Sequence, residues 1–494
     1  MATETKADGA RLPRVLGPTE ALCVVIGSVI GSGIFIVPAS VAKDVPFLGG
    51  IAVVWVVGGL FSLAGALTLA ELATMLPSAG GPYVYLREAF GRLPAFLFGW
   101  AEFLVIRTGS IATLAAAFGL YFALLVPAPS GMAPLAWQTS AAVAATIALA
   151  AVNVVGTGLG GRVQVIGTVL KVGAIASMIV LPFALGRVNP SLLTPVWPAS
   201  FDGKVFSGIM AAMIGVLWSY DGWVNASALA EEIRDPGRNI PRALILGMFA
   251  LIALYLTMTL VYHMVLPLAE VGAASDEKGS PRILAADFFE HLLGRWGLVA
   301  IALVVMTSTF ISLNGNALSG PRAYFAMARD GVFPAGLCRI HPRFRTPANA
   351  IVAQAVWAVI LMVVGTAFKL TPPPAGGLPG PILKGWEELN RTPLYDILFT
   401  YVIFGGTIFY GLAIFSVFVL RARRPDLPRP YKTWGYPVTP LIYTAASLFL
   451  LGSMLLRRPF ESLAGLAIVA AGVPAYFLFS RNAPGKSAPS GYLE

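Results

Sequence analysis

The sequence predicts an all-α integral membrane protein with about twelve transmembrane helices, because it is apolar, carries long apolar segments and distributes its basic residues unevenly between loops. Of its 494 residues, 57% are apolar and 12% are charged, whereas about 25% of residues in soluble domains are charged. The mean hydropathy is +0.77. A soluble protein of this composition could not cover its surface with polar groups, so lipid is the expected solvent.

Apolar segments recur along the chain and are long enough to cross a bilayer core of about 30 Å, which takes about 20 helical residues. The first is too long for the apolar core of a signal peptide, so we expect it to remain as a helix. Hydropathy places roughly twelve segments, at residues 18–45, 48–76, 93–126, 136–155, 163–186, 205–230, 240–266, 296–328, 347–367, 393–421, 436–456 and 460–480.

The net charge of +10 follows membrane topology rather than a nucleic-acid-binding surface. With the N-terminus inside, the loops assigned to the inner side hold more Lys and Arg than the outer loops, as the positive-inside rule predicts. We therefore expect a multi-pass protein of the cell (inner) membrane, with cytoplasmic tails at residues 1–17 and 481–494 and with no nucleic acid partner.

Other classes of function find no support in the residue patterns. His263, His291 and His341 lack metal-ligand spacing, and no Walker A loop indicates ATP as the driving force. Cys23 and Cys338 lie far apart in the chain and imply no disulfide framework. We expect no enzymatic activity, no metal and no cofactor.

Two segments are poor candidates for continuous helices. The first contains Gly27, Gly31 and Gly33 with serines between them, which makes an unfavourable helix interior. The sixth carries Asp221 beside Gly222 near its middle. Broken backbone at membrane depth persists only where it lines a cavity, and matching breaks in two halves of a chain are typical of transporter sites. The alternative is that the glycines only allow close packing of helices.

Four motifs follow one another along the chain. They are IGSGIF at 30–35; ELATMLPSAGGPYVY at 71–85 with REAFG at 87–91; YDGW at 220–223 with Glu231, Glu232 and PGRNIP at 236–241; and RPDLPRPY at 424–431. In these motifs the sequence resembles the amino acid–polyamine–organocation (APC) superfamily, and within it the L-type amino acid transporters and their bacterial relatives.

The resemblance implies the LeuT-type fold, with inverted repeats of five segments each at residues 18–186 and 205–421 and two further helices at 436–480. Animal members of the L-type group attach to a glycoprotein heavy chain through a cysteine between segments three and four. The loop near 126–137 has no cysteine, so we expect no disulfide-linked heavy chain. The expected partners are an amino acid substrate and the lipid bilayer.

The two breaks suggest how an amino acid zwitterion binds. Its charged groups lose hydration inside the membrane, and a broken helix offers free N–H groups on one half and free C=O groups on the other. As the resemblance implies, the N–H groups of Ser32 and Gly33, with the Ser32 hydroxyl, take the carboxylate. The carbonyls of Val29, Trp218 and Asp221 take the ammonium. The predicted substrate-binding residues are Val29, Ile30, Gly31, Ser32, Gly33, Trp218, Ser219 and Asp221.

Trp218 and Asp221 each have two interpretations. In the resemblance, an aromatic residue at the position of Trp218 closes over the substrate, whereas tryptophan that simply packs between helices is about as common. A carboxylate inside a membrane is costly and indicates a purpose. Asp221 either favours substrates with a Lys or Arg side chain or forms a salt bridge within the protein, for example with Arg107. For Glu102 and Arg107 we expect a structural ion pair with other segments.

Lys171 lies in the middle of the fifth segment. In sodium-driven LeuT-type transporters a Na⁺ ion ties the first segment to the eighth, and in sodium-independent L-type relatives a lysine occupies that region. The resemblance implies that Lys171 substitutes for the ion and contacts the backbone of residues 27–30, together with Ser308, Thr309 or Ser312. Transport independent of Na⁺ follows, and proton coupling through this lysine stays open.

Together these patterns predict a sodium-independent amino acid transporter that exchanges neutral L-amino acids by alternating access, with cationic ones left open. The alternatives are a proton-coupled symporter of amino acids or polyamines and, from another class, a non-transporting amino acid sensor. Sensors usually carry a soluble output domain, and a channel would need a continuous polar lining. The sequence indicates neither feature.

Overall fold

The computed structural model describes residues 11–273, 284–371, 394–457 and 459–481. Within these ranges the structure is α-helical, and its β-pairing consists of one isolated parallel bridge between Leu16 and Ile233. The prediction of an all-α protein is therefore confirmed. Most of the two predicted tails and residue 393, at the start of the tenth predicted segment, lie outside the described residues.

The helices before residue 190 include four long apolar ones and a first span that is divided. They are α1 (Pro18–Val29), α2 (Gly33–Asp44), α3 (Leu48–Met75), α4 (Pro82–Phe90), α5 (Arg92–Ala101), α6 (Arg107–Leu125), α7 (Pro134–Val155) and α8 (Thr157–Ala184). A π-helical turn, Glu102–Ile106, joins α5 to α6 without a break.

The helices after residue 200 follow a similar order, and again the first span is interrupted. They are α9 (Gly203–Ser219), α10 (Asn225–Ala228), α11 (Pro236–Val265), α12 (Leu268–Ala273), α13 (Leu284–Leu293), α14 (Gly297–Ser319), α15 (Pro321–Arg329), α16 (Ala348–Leu370), α17 (Leu394–Arg423), α18 (Val438–Arg457) and α19 (Pro459–Arg481).

Ten helical stretches in the described residues are long and apolar enough to cross a membrane. The pair α1 and α2 adds one more span if taken together, bent by 41° at the break, and α9 is apolar but only 17 residues long. The prediction of a multi-pass membrane protein is confirmed. The first and sixth predicted segments are both broken, as their glycines indicate.

Hydropathy misplaces some helix ends. The fifth predicted segment starts at residue 163, whereas α8 starts at Thr157. The turn that it misses includes Gly160, Gly161 and Arg162, which lower the hydropathy although the backbone continues as helix. The eighth predicted segment, 296–328, consists of two consecutive helices, α14 and α15.

Helix α8 presents one face to lipid and packs another against a neighbouring helix. Its large apolar side chains Ile166, Val169 and Leu170 are 62%, 64% and 58% exposed, which suits contact with lipid. On another face, a Cβ on Gly167 would lie 2.0 Å from the Cδ1 atom of Ile311 in α14. The glycine therefore lets α8 and α14 approach closely, as small residues do in membrane helix pairs.

A cluster of ion pairs joins the chain before α1, the chain after α10 and helix α15. We call Glu231, Glu232, Arg322 and Arg329 the Glu231–Glu232 cluster. Arg322 is fully buried and donates to both carboxylate oxygens of Glu232, at 2.7 and 3.1 Å. Glu231 forms a salt bridge with Arg329 at 3.2 Å and accepts the Leu12 N–H at 2.8 Å. These contacts join three parts of the chain that are distant in sequence.

Candidate functional site

The first break lies between α1 and α2, at residues 30–32. The N–H of Gly31 donates to the carbonyl of Val29 at 2.8 Å, instead of to the carbonyl of Gly27 four residues earlier. The helical ladder therefore stops, and carbonyl groups at the end of α1 need other donors.

Lys171 of α8 supplies two of those bonds and a third to a hydroxyl group of α14. The residue is 1% exposed. Its Nζ donates to the carbonyls of Gly27 at 2.7 Å and Ile30 at 2.5 Å, and to the Ser312 hydroxyl at 3.0 Å. Three acceptors match the three donors of an ammonium group. A positive charge is thus held at the carbonyl end of α1, where the helix dipole favours it.

Helix α14 also contributes hydroxyl groups to this end of α1. Ser308 donates to the carbonyl of Gly31 at 2.9 Å, and the Ser312 hydroxyl lies 2.7 Å from the carbonyl oxygen of Ile30. Among the three alternatives expected for Lys171, its partner is Ser312, whereas Thr309 bonds within its own helix. The lysine and the two serines tie α1 to α8 and α14. That Lys171 substitutes for an ion stays a prediction.

The second break follows α9, which ends at Ser219, and precedes α10, which starts at Asn225. Within it, Gly222 has a φ of +117°, a conformation that L side chains rarely adopt. A Cβ on Gly222 would also lie 3.0 Å from the carbonyl carbon and oxygen of Ser28 in α1. Both backbone conformation and close contact therefore require glycine here.

The two breaks adjoin at a second point. A Cβ on Gly33, the first residue of α2, would lie 2.6 Å from Ser219 Oγ and 2.9 Å from Ser219 Cα. The start of α2 thus lies directly on the end of α9. Together with the contact between Gly222 and Ser28, this brings the two halves of one predicted site together.

Two of the three residues assigned to the ammonium group, Val29 and Trp218, are enclosed, and their carbonyls already accept hydrogen bonds. Val29 is 3% exposed and Trp218 is 9% exposed. The carbonyl of Val29 accepts the Tyr255 hydroxyl at 3.1 Å in addition to the Gly31 N–H. The carbonyl of Trp218 accepts the N–H of Asp221 at 3.0 Å. A substrate ammonium must therefore share these carbonyls or displace their present donors.

A cavity of about 60 Å³ borders the second break. It lies between α3, α9, α17 and α18, and among the described residues its wall includes Trp218 and Asp221 but none of residues 29–33. Helix α17 contributes Tyr410, and α18 contributes Tyr443 and Ser447. The cavity therefore extends the site away from α1.

Sequence reasoning missed the contribution of α18. Its four cavity residues, Tyr443, Ser447, Leu450 and Met454, are spaced by four, three and four residues, so they share one helical face. The spacing was readable from the sequence. The element that packs against this face was not readable from the sequence, because periodicity identifies a buried face but not the helix opposite it.

Among the described residues no direct salt bridge joins Arg107 to Asp221, although the two charges interact electrostatically. Arg107 instead forms a salt bridge with Glu102 at 2.6 Å. The two residues are five apart, and the π-helical turn between them brings them onto one face. The guanidinium also donates to Asn225 of α10 and to Asn316 of α14. We expected Glu102 and Arg107 to form an ion pair with other segments. They instead pair with each other within one span, and the side-chain amides of Asn225 and Asn316 link Arg107 to α10 and α14.

Comparison with known proteins covers almost the whole chain. The family model described as Amino acid permease matches residues 16–473. The serine/threonine exchanger SteT of Bacillus subtilis is 32% identical over 94% of this chain and 97% of its own length. The Homo sapiens b(0,+)-type amino acid transporter 1 is 31% identical over 95% of this chain and 88% of its own length. The Homo sapiens cystine/glutamate transporter is 28% identical, with corresponding shares of 95% and 86%.

These matches confirm the resemblance drawn from the four motifs. The family model extends from just before α1 into α19, so it includes both breaks, Lys171 and the cavity. With its broken first span and its multi-pass helical fold, the chain belongs to the amino acid permease family of the APC superfamily and has the LeuT-like fold of that superfamily.

Proposed function

We propose that the chain is a sodium-independent amino acid exchanger that works by alternating access. The observation that carries the proposal is the ammonium group of Lys171, which bonds two carbonyls at the end of α1 and a hydroxyl of α14. The relative from Bacillus subtilis, named as a serine/threonine exchanger, supports the same mode of transport.

Lys171 favours exchange in this proposal because it takes the place of a bound Na⁺. A bound Na⁺ that links the first span to the eighth couples transport to a sodium gradient. A lysine on the protein's own chain makes equivalent contacts but cannot be released on the other side. The driving force must then come from another solute, and an outgoing amino acid is the simplest one.

The substrate zwitterion binds at the two breaks in this proposal. The N–H groups of Ser32 and Gly33 donate to the carboxylate. They lie at the start of α2, where the positive end of the helix dipole also favours a negative charge. Gly33 lets the backbone come close, since even a Cβ there would lie 2.6 Å from Ser219. The ammonium binds carbonyls of the two broken ends, where it competes with Tyr255 for Val29.

The same proposal includes the orientation and assembly of the protein. The charge bias between loops supports a cell membrane location with both termini in the cytoplasm. Residues 18–186 and 205–421 form the two inverted repeats, each of which opens with a broken span. The loop between α6 and α7, residues 126–133, has no cysteine, so the chain works without a disulfide-linked heavy chain.

The test is transport by the purified protein in proteoliposomes. Labelled serine or alanine outside should enter rapidly only when an unlabelled amino acid is inside, and replacing Na⁺ by choline should change the rate less than about twofold. Uptake that requires a Na⁺ gradient contradicts the role of Lys171. Uptake into empty vesicles driven by a pH gradient supports the proton-coupled alternative, and absence of any uptake supports a sensor.

A further inference from the structure

We propose that a groove between α8 and α14 binds an acyl chain of an anionic phospholipid, and that Arg162 at one end of the groove contacts the phosphate of the headgroup. The groove lies on the outer surface of the helix bundle, outside the proposed substrate site. The inference does not depend on the proposed exchange of amino acids, because its ligand comes from the bilayer.

The groove is apolar and open to lipid. Its volume is about 460 Å³. Helix α8 contributes Ile166 and Leu170, and α14 contributes Leu303; all three side chains are more than half exposed. Among the described residues that line the groove, the only side-chain hydroxyl is that of Thr307. Apolar cavities stay free of water and bind apolar molecules, so hydrocarbon is the expected occupant.

The groove also has a floor and an aromatic side wall. Gly167 and Ile311 form the floor, where α8 and α14 approach closely because the glycine has no side chain. The rings of Phe118 in α6 and Phe310 in α14 line one side, with centroids 5.9 Å apart. A recess of this kind gives a hydrocarbon chain more contacts than a flat helix face does. It therefore favours one chain position over free exchange with the bilayer.

Arg162 adds a positive charge on the same side of α8. It precedes Ile166 by four residues, so the two side chains share one face of the helix. Arg162 is exposed and takes part in none of the salt bridges formed by the described residues. Glu20 packs beside the adjacent Gly161, but its carboxylate accepts the N–H of Gly17 at 2.9 Å. The guanidinium can therefore bind a phosphate, for which its paired donors are suited.

The depth of Arg162 in the membrane matches that of a lipid headgroup. Lys171 lies at the middle of α8 and bonds to the broken first span. Arg162 comes nine residues earlier, a distance of about 14 Å along the helix, and half of the hydrocarbon core is about 15 Å thick. The charge bias between loops assigns this end of α8 to the cytoplasmic side, where anionic lipids attract basic residues. An acyl chain that begins at Arg162 would run past Ile166 and Leu170 towards the bilayer centre.

The experiment measures where phospholipids lie against the reconstituted protein. Phosphatidylglycerol or phosphatidylcholine, each with a diazirine midway along the same acyl chain, is added in trace amounts to phosphatidylcholine vesicles that contain the protein. After irradiation, mass spectrometry of peptides locates the label. Phosphatidylglycerol should label the groove about fivefold more than phosphatidylcholine does, since one basic residue near the surface favours anionic lipid by about this factor. Both should label the exposed face of α16 around Val363 and Val364 equally.

Arg162→Gln tests the contact with the headgroup. Labelling of the groove by phosphatidylglycerol should fall to the level found with phosphatidylcholine, because the charge that distinguishes the two lipids is gone. The matched control is Arg238→Gln, because Arg238 is exposed at the start of α11 and also forms no salt bridge with the described residues. This variant should keep the preference for phosphatidylglycerol.

Ile166→Trp tests the position of the acyl chain, because the larger side chain fills the groove. Labelling of the groove by both phospholipids should fall to the level of the α16 face. Val169→Trp adds the same side chain to α8 at a residue that is 64% exposed and does not line the groove in the described part of the chain, so labelling should be unchanged. Leu303→Trp fills the groove from α14 and decides the matter if Ile166→Trp does not fold.

Three results would overturn the proposal. The first is equal labelling of the groove by the two phospholipids in the unaltered protein. The second is labelling of the groove by phosphatidylglycerol that does not exceed labelling of the α16 face. The third is unchanged labelling in both variants that fill the groove. None of these readouts requires transport, so they stand apart from the test of the proposed exchange.

Discussion

At Gly33 the absence of a side chain is a requirement of the fold, because the start of α2 rests on the end of α9. We expect Gly33→Val to abolish exchange, since its Cβ alone would lie 2.6 Å from Ser219 Oγ. Relief of this clash would displace the N–H groups that are proposed to bind the substrate carboxylate. The measurement is exchange of labelled alanine in loaded proteoliposomes.

A suitable control for that substitution is Gly173→Val in α8, where an added Cβ meets no atom within 4 Å. This variant should retain exchange within about twofold. If Gly33→Val also retained exchange, the assignment of the substrate carboxylate to this position would be wrong.

Lys171 is the residue on which the sodium independence of the proposal depends. Lys171→Gln removes the charge and replaces three donors by two on a shorter side chain, so it does not reproduce the bonds to the two carbonyls and the hydroxyl. We expect exchange to fall more than about tenfold, because residual unsatisfied carbonyls cost about 1–3 kcal/mol each. Exchange at full rate in this variant, with or without Na⁺, would contradict the role of the lysine.

The corresponding control is Lys432→Gln, because Lys432 lies in an exposed position between α17 and α18. Loss of charge there should leave both the rate and the ion dependence of exchange unchanged. The two variants carry the same chemical change, so a difference between them reports the position of the charge rather than the net charge of the protein.

At the scale of elements, the molecule consists of long helices with two short interruptions that adjoin. Gly222 is the residue that allows the second one. We expect Gly222→Ala to lower the thermal stability in detergent, because a non-glycine residue in an unfavourable backbone region costs about 1–3 kcal/mol and its Cβ would press against Ser28. Thermal unfolding followed by intrinsic tryptophan fluorescence measures the change.

Gly452→Ala in α18 provides the comparison for this measurement. Its Cβ would meet no atom within 4 Å, and its backbone is ordinary helix. This substitution should leave the unfolding temperature unchanged or raise it slightly, since alanine is the better helix former. Equal unfolding temperatures for the two variants would show that the second break does not need its glycine.

At the scale of the whole molecule, the Glu231–Glu232 cluster joins parts of the chain that are distant in sequence. Glu232 and Arg322 are both fully buried. Removal of one partner from such a pair leaves an uncompensated charge and costs about 3–5 kcal/mol. We expect Glu232→Gln to lower the unfolding temperature in detergent markedly and to slow exchange.

The pair of Glu88 and Arg87 allows a comparison, because it is partly exposed, with side-chain exposures of 28% and 23%. Exposed ion pairs contribute about 0–1 kcal/mol, so Glu88→Gln should change the unfolding temperature little. If Glu232→Gln were as mild as Glu88→Gln, the buried ion pair of the cluster would not stabilise the fold as proposed.

Much of this architecture could be predicted from the sequence, since lipid imposes strong rules on composition. Apolar segments of span length indicate the membrane helices, and the glycines around Ser32 and beside Asp221 indicate where backbone is broken. The signal for spans and breaks is local, because the cost of a polar or flexible residue in lipid depends little on its neighbours. The contact of Lys171 with the first span was instead implied by the resemblance to the L-type transporters, and that contact is present.

Only the tertiary structure decided which groups meet across helices. It placed Arg107 against Glu102 through a π-helical turn, and not against Asp221. It also brought Tyr443 and Ser447 of α18 to the cavity beside the second break. The sequence determined the spans, the breaks and the buried charges of this protein. The partners of those charges depend on how the helices pack, and a periodic pattern identifies a face of a helix but not what lies opposite it.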